Sequence, residues 1–413
     1  MSHVSRQSTG CPPRLIGRVG LKRRLYAGAD VQRAQSIEEL RAMARKRVPN
    51  FCFEYVEGGA EEEISLRHNR EVFTRIGFLP RTLVDVSVRR QGRRLFGQDI
   101  ASPFLIGPTG FSGLLAREGD VAMASAAASA GVPFVLTNVS TTSLEEVVRR
   151  SGAQVWQQVY LYRDRAFVAS VAQRAQAAGI GVLVLTTDSA VYGKREWDAR
   201  NFSSPRRLDW RNKLDVLRHP RWLIDILYPH GFPRFANLGD LLPPDQTSVR
   251  GAAAAILGQS LSAALDWADV QWLRGIWPGK LVLKGVMQVE DAQRAVALGV
   301  DGIVLSNHGG RQLDGALSTM DVLPEVVAAV KGQLTVMLDG GFRRGADIVK
   351  AIALGADAVL LGRATTYGLA AGGQAGATRA LEILRSEVDR VLALLACPDI
   401  DQLDASYLRR LQA

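Results

Sequence analysis

The chain is poor in the residues that zinc sites, disulfide scaffolds and membrane spans require. Of its 413 residues only three are cysteine, Cys11, Cys52 and Cys397, scattered with no metal or disulfide spacing. That usage suits a reducing compartment, hence a cytoplasmic location, and argues against a metal. No apolar run approaches the roughly 18 residues that a membrane span needs. No signal-peptide core follows the N-terminus. Histidine is equally scarce, with five: His3, His68, His219, His230 and His308. A Gly-x-Gly-x-x-Gly after an early strand is also missing, which counts against NAD on a doubly wound sheet. Acids are thin in two segments only. Residues 1–33 hold seven Arg/Lys against Asp30, and residues 204–235 hold seven Arg/Lys against three Asp. These two segments account for the whole net charge of +10. Basicity so confined speaks against a nucleic-acid groove and for a local anionic contact such as a membrane surface.

What the chain does have is a succession of short apolar strands. They fall at 103–107, 133–137, 155–160, 182–186, 281–284, 302–305, 335–339 and 358–362. Most are followed by Ala-rich helical stretches. Eight strand–helix units predict an α/β fold, a (β/α)8 TIM barrel, with an open doubly wound sheet as runner-up. Residues 1–35 read as a basic disordered tail, or alternatively a targeting peptide. The domain then runs over 36–413, opening on a helix capped by Ser36 with Glu39 completing a capping box. A long amphipathic helix is expected over 379–395, stopped by Cys397-Pro398. One connection, after the fourth strand, is far too long. It predicts an insertion at 204–280, either a lid or partner surface, or an interfacial segment lying on an anionic bilayer.

The strand ends carry the chemistry. After 302–305 comes Ser306-Asn307-His308-Gly309-Gly310-Arg311-Gln312-Leu313-Asp314. An imidazole there can take a proton near neutral pH, and a guanidinium three residues on can grip a carboxylate in two places. His308 is therefore the candidate general base, with Asp188 to pair with it. Asp339-Gly340-Gly341-Phe342-Arg343 follows the seventh strand and Gly362-Arg363 the eighth. Barrels often bind phosphate at that pair of loops. Lys284, ending strand five, offers a cation against a reduced ring system.

This nonapeptide, with the other strand ends, closely resembles the FMN-dependent 2-hydroxy-acid oxidising family over roughly residues 36–413. The resemblance implies FMN as cofactor and a small 2-hydroxy acid as substrate. It assigns Thr137, Gln158, Thr186 and Lys284 to the flavin ring, Ser306 to its ribityl side, and Pro108-Thr109-Gly110 to the flavin N5 edge. It gives Tyr55, Arg195 and Arg311 to the substrate carboxylate and Tyr160 to the substrate hydroxyl. The motifs Thr186–Gly193 and Gly362–Ala371 lean toward aryl substrates of the mandelate kind. His219-Pro220-Arg221-Trp222 looks instead like the lactate dehydrogenases. Val139 stands where a bulky tryptophan is expected in glycolate oxidases. A quinone acceptor suits the basic, aromatic insertion and a peripheral place on the inner face of the membrane; oxygen suits a soluble oxidase. The family also implies a homo-oligomer, a tetramer. Different FMN barrels, such as IMP-dehydrogenase-like enzymes, would want a cysteine at a strand end. None of the three cysteines lies at one.

Overall fold

The computed structural model describes residues 25–204, 207–228, 231–238, 261–330 and 332–411. Most of the expected tail, Arg206, and residues 239–260 of the insertion lie outside the described residues.

Eight parallel strands close into a barrel in chain order. They are β1 (Phe104–Ile106), β2 (Phe134–Thr137), β3 (Val155–Tyr160), β4 (Val182–Thr186), β5 (Lys280–Val286), β6 (Gly302–Leu305), β7 (Thr335–Leu338) and β8 (Ala358–Leu361). Two pairings decide closure over an open sheet. Val359–Leu361 of β8 lies on Phe104–Ile106 of β1, and Lys280–Lys284 of β5 lies on Val182–Thr186 of β4.

The period of two along each strand then places the site. Leu105, Val135, Trp156, Val184, Val282, Val304, Met337 and Leu360 pack together inside the barrel, while their neighbours face the helices. Two residues further up the same inner face stand Gly107, Thr137, Gln158, Thr186, Lys284, Ser306, Asp339 and Gly362. A polar layer thus caps an apolar one by parity alone. The opposite, N-terminal end is filled by a hairpin, Arg93–Leu95 with Gln98–Ile100. Its Leu95, Ile100 and Phe96 join the interior cluster, with the Phe96 ring 5.5 Å from that of Trp156.

Three expectations about boundaries need correction. Residues 25–35, read as tail, are held on the barrel. Val31 and Ala34 are buried. Arg379 donates to the Ala34 carbonyl at 3.0 and 2.9 Å, and the Glu39 carboxylate accepts from the backbone of Gln35 and Tyr26. Ser36 caps its helix (Ile37–Arg47) as expected. The insertion ends earlier than residue 280, because Trp267–Ile276 is the ordinary helix of the fourth βα unit. Asp266 closes its capping box, and Val270, Leu273 and Trp277 are buried. Tryptophan in place of alanine disguised it. The C-terminal helix expected over 379–395 is present but begins a few residues earlier, just past a kink where Gly373 takes φ +61°, and a second helix precedes it within Arg363–Leu395.

The rest of the insertion includes a helix at Trp210–Leu217 and turns through Pro220–Leu227. Its inner face packs Val216, Trp222 and Ile226 on the barrel. The Trp222 indole donates to the Leu114 carbonyl at 2.7 Å and meets Phe51 edge-on. Its outer face exposes Trp210, Leu214, Leu217, Ile224 and Tyr228 to solvent, at 66, 49, 67, 59 and 72%.

Candidate active site

At the C-terminal mouth of the barrel lies an open cleft. Fifteen of the residues singled out from sequence line it: Tyr55, Pro108, Thr109, Gly110, Tyr160, Arg195, Lys284, His308, Arg311, Asp339, Gly340, Gly341, Arg343, Gly362 and Arg363. The remaining five adjoin the lining through hydrogen bonds and strand pairing. Thr137 accepts from the backbone N–H of the wall residue Val139 at 3.2 Å. Gln158 donates to Thr186 at 2.8 Å. Ser306 accepts from Lys284 and donates to Asp339, and Asp188 backs His308.

His308 sits at the turn from β6 into its loop, in the left-handed region at φ +56°, a costly conformation for a residue with a Cβ. The Ser306 hydroxyl accepts its backbone N–H at 3.0 Å. Its Nδ1 lies 2.9 and 3.2 Å from the two Asp188 oxygens. With Nδ1–H given to the carboxylate, Nε2 is left as the basic nitrogen. Burial pushes the imidazolium down from its ordinary range; Asp188 opposes that, and Lys284 adds to it. Burial alone would raise the Asp188 carboxyl, but His308 and Lys284 outweigh it and bring it down to about 2. Asp188 is thus an anion throughout the working range, and His308 a neutral base.

Lys284 is buried on β5. Burial would lower its ammonium, yet Asp339, whose carboxylate is 3.3 Å away, and Asp188 keep it raised above its usual value. The cation is therefore permanent. Tyr160 is pushed well above its ordinary range by burial, so it stays a phenol and can donate.

Two arginines, Arg311 and Arg195, line the same cleft as His308. Arg311 donates to the carbonyls of Tyr55 and Gly58 at 2.7 and 2.8 Å and lies over the Tyr55 ring. Arg195, 9% exposed, donates to the Tyr192 hydroxyl at 2.8 Å and to the Arg311 carbonyl at 3.2 Å. A third, Arg363, is fixed by the carbonyls of Val56, Gly58 and Gly309, each at 2.8 Å. Burial, with Arg311 and Arg343 nearby, lowers it to about 9. Positive charge crowded in this way calls for an anion. The loop after β7 turns tightly at this end of the cleft: Gly340 and Gly341 take φ +102° and +86°. A Cβ on Gly341 would lie 1.9 Å from the Asn69 carbonyl oxygen.

Several supporting residues escaped the sequence reading. Asn307 and Asn69 exchange two hydrogen bonds of 2.9 Å. Asp314 accepts from the backbone of Ser65 and Ile64, capping the helix Ile64–Glu71 from 250 residues away. Tyr192 and Leu261 line the cleft, Leu261 from the end of the insertion. Asn307 and Asp314 belong to the nonapeptide, which could have drawn attention to them; no local signal marks Asn69.

The residues fit a flavin mononucleotide. The cleft pairs a cation-rich, glycine-lined end with a ring-sized polar floor. Among the described residues, the buried Oε1 of Gln158 and Oγ1 of Thr109 have no hydrogen-bond partner, as groups facing a heteroaromatic would. The model for FMN-dependent dehydrogenases matches residues 44–410. The chain belongs to that family. It is 45% identical to the (S)-mandelate dehydrogenase of Pseudomonas putida over 91% of this chain and 93% of that protein. It is 40% identical to the L-lactate dehydrogenase of Serratia proteamaculans, over 90% and 97%. A crystal structure of the monotopic membrane protein (S)-mandelate dehydrogenase superposes with a TM-score of 0.86 at 44% identity, covering 92% of this chain and all of that one. A mandelate oxidase with (S)-4-hydroxymandelic acid gives 0.79 at 36% identity, over 91% and 98%. The protein is an FMN-dependent oxidoreductase acting on 2-hydroxy acids.

Proposed function

We propose that this chain oxidises an (S)-2-hydroxy acid with an aryl side chain, of the mandelate kind, to the 2-oxo acid and passes the electrons to a membrane quinone. The observation that carries this reading is the His308–Asp188 pair facing the same cleft as Arg195 and Arg311. The two arginines hold the substrate carboxylate, with Tyr55 beside them, and Tyr160 donates to the substrate hydroxyl. His308 Nε2 takes one proton, either from the hydroxyl while the C2 hydrogen leaves as hydride with the electron pair, or from C2 while the hydroxyl proton is released as the C=O bond forms, and Asp188 stabilises the imidazolium that results. Bound FMN supplies the acceptor for the electron pair leaving C2. Lys284, Thr137, Gln158 and Thr186 hold its ring, Ser306 its ribityl side, Pro108–Gly110 its reactive edge, and Asp339–Gly341, Arg343, Gly362 and Arg363 its phosphate end.

The aryl preference is supported by Val139, which lines the cleft where a bulky tryptophan is expected in glycolate oxidases and so leaves room for a larger substrate side chain. The quinone is supported by the exposed apolar face of the insertion, flanked by Arg211, Lys213, Arg218 and Arg221, which suits a peripheral lie on an anionic, inner membrane face. Among the described residues no helix is long and apolar enough to cross a membrane. The test is anaerobic bleaching of the FMN-loaded protein with (S)-mandelate, L-lactate and glycolate in turn. Fastest bleaching by L-lactate would move the chain to the lactate dehydrogenases; full turnover with oxygen would remove the quinone.

A further inference from the structure

Of the polar residues in the nonapeptide, Gln312 has neither a chemical nor a supporting role among those described above. Its carboxamide lies between two loops. One leaves β4 and carries Asp188 and Arg195; the other leaves β6 and carries His308 and Arg311. Gln312 Nε2 donates to the carbonyls of Asp188 and Val191 at 2.8 and 3.0 Å. Oε1 accepts from the Gly193 N–H at 3.1 Å and from the Arg195 guanidinium at 3.4 Å. Two carbonyls on one side and N–H donors on the other fix which way the amide points. A second observation shows the loops built to touch here: a Cβ on Gly193 would lie 2.4 Å from the Arg311 carbonyl oxygen and 2.7 Å from Gln312 Cα.

We propose that Gln312 is a positioning residue that sets the register between these two loops, and through it both the His308–Asp188 contact and the pose of Arg195. The inference rests on the roles given above to His308 and Arg195. Its donor half steadies the backbone of the proton-accepting pair, and its acceptor half orients the carboxylate grip. The two halves are therefore separable. The near-isosteric Gln312→Met removes all four bonds, and a misplacement of this kind can cost on the order of 10²-fold in rate. Flavin reduction by (S)-mandelate is expected to slow about ten- to a hundredfold with a raised KM, at unchanged FMN content and thermal midpoint. Gln312→Glu keeps the acceptors and loses the donors: KM returns toward the parent value while the reduction rate stays low. Wild-type reduction and KM in Gln312→Met would overturn the proposal. So would equal KM defects in both variants, or a loss of bound FMN that accounts for the slower rate. His308→Gln and Arg195→Met, measured alongside, separate the two levels. If those variants keep full activity, the functional reading itself fails. If they lose it while Gln312→Met does not, only the positioning role does.

Discussion

At the scale of single residues, the site is a set of charges whose signs are fixed by neighbours. His308 is held neutral by burial and kept basic by Asp188. Exchanging it for glutamine should lower the rate of flavin reduction by about 10²–10⁴-fold while FMN stays bound, as stopped-flow bleaching and the visible spectrum would show. The pH dependence follows from the same environment. The folded imidazole titrates below its ordinary value, so its basic form is present through neutrality and is lost only as pH falls through that lowered pKa. In Asp188→Asn the carboxylate that pulls this pKa up is gone. The plateau should drop, and the acid limb should move to still lower pH. An acid limb that moves up would contradict this electrostatic account.

Elements set the precision. The helix Ile64–Glu71 has no cap of its own and takes one from Asp314, while its Asn69 is locked to Asn307. This helix therefore fastens the loop after β6 and backs the glycine turn after β7. Asp314→Ala removes a cap worth about 1 kcal/mol, and it should lower the melting midpoint and weaken FMN retention together. Gly341→Ala meets the Asn69 carbonyl head-on, so it should cost phosphate binding before it costs the barrel, read as FMN loss with the far-UV spectrum kept. At this scale the limits of sequence reading are also plain. Strand ends were legible because period two and a run of four to six apolar residues leave little choice of face. Helix Trp267–Ile276 was not, since its tryptophans and its nearness to the insertion mimic an interfacial segment. Residues 25–35 read as tail because their anchors, Arg379 and the far side of Glu39, are supplied by other parts of the chain. Gln312 and Asn69 act through partners far away in the chain, placed beside them only by the fold.

For the whole molecule, charge and shape converge on the mouth. Arg311, Arg343 and Arg363 lie around one end of the cleft, and Arg363 is depressed by burial and by the other two. An anion there relieves the repulsion, so the FMN-free protein should be less stable. At a hundredfold excess over Kd, ligand adds about 2.7 kcal/mol. Calorimetric melts should rise more with FMN than with riboflavin, which lacks the phosphate. Outside the cleft, replacing Trp210, Leu214 and Leu217 by serine should release the protein from anionic vesicles while leaving turnover with a soluble acceptor intact. These three side chains are exposed, so their loss leaves the core untouched.

The hairpin wedged into the base of the barrel has a kinetic corollary. With Leu95, Phe96 and Ile100 stoppering that end, the cleft formed by the described residues opens at the mouth, and on the function proposed above hydroxy acid and electron acceptor both reach FMN from there. Each must wait for the other to leave, so steady-state double-reciprocal plots at several acceptor concentrations should run parallel, and an excess of either reactant should slow the half-reaction belonging to its rival.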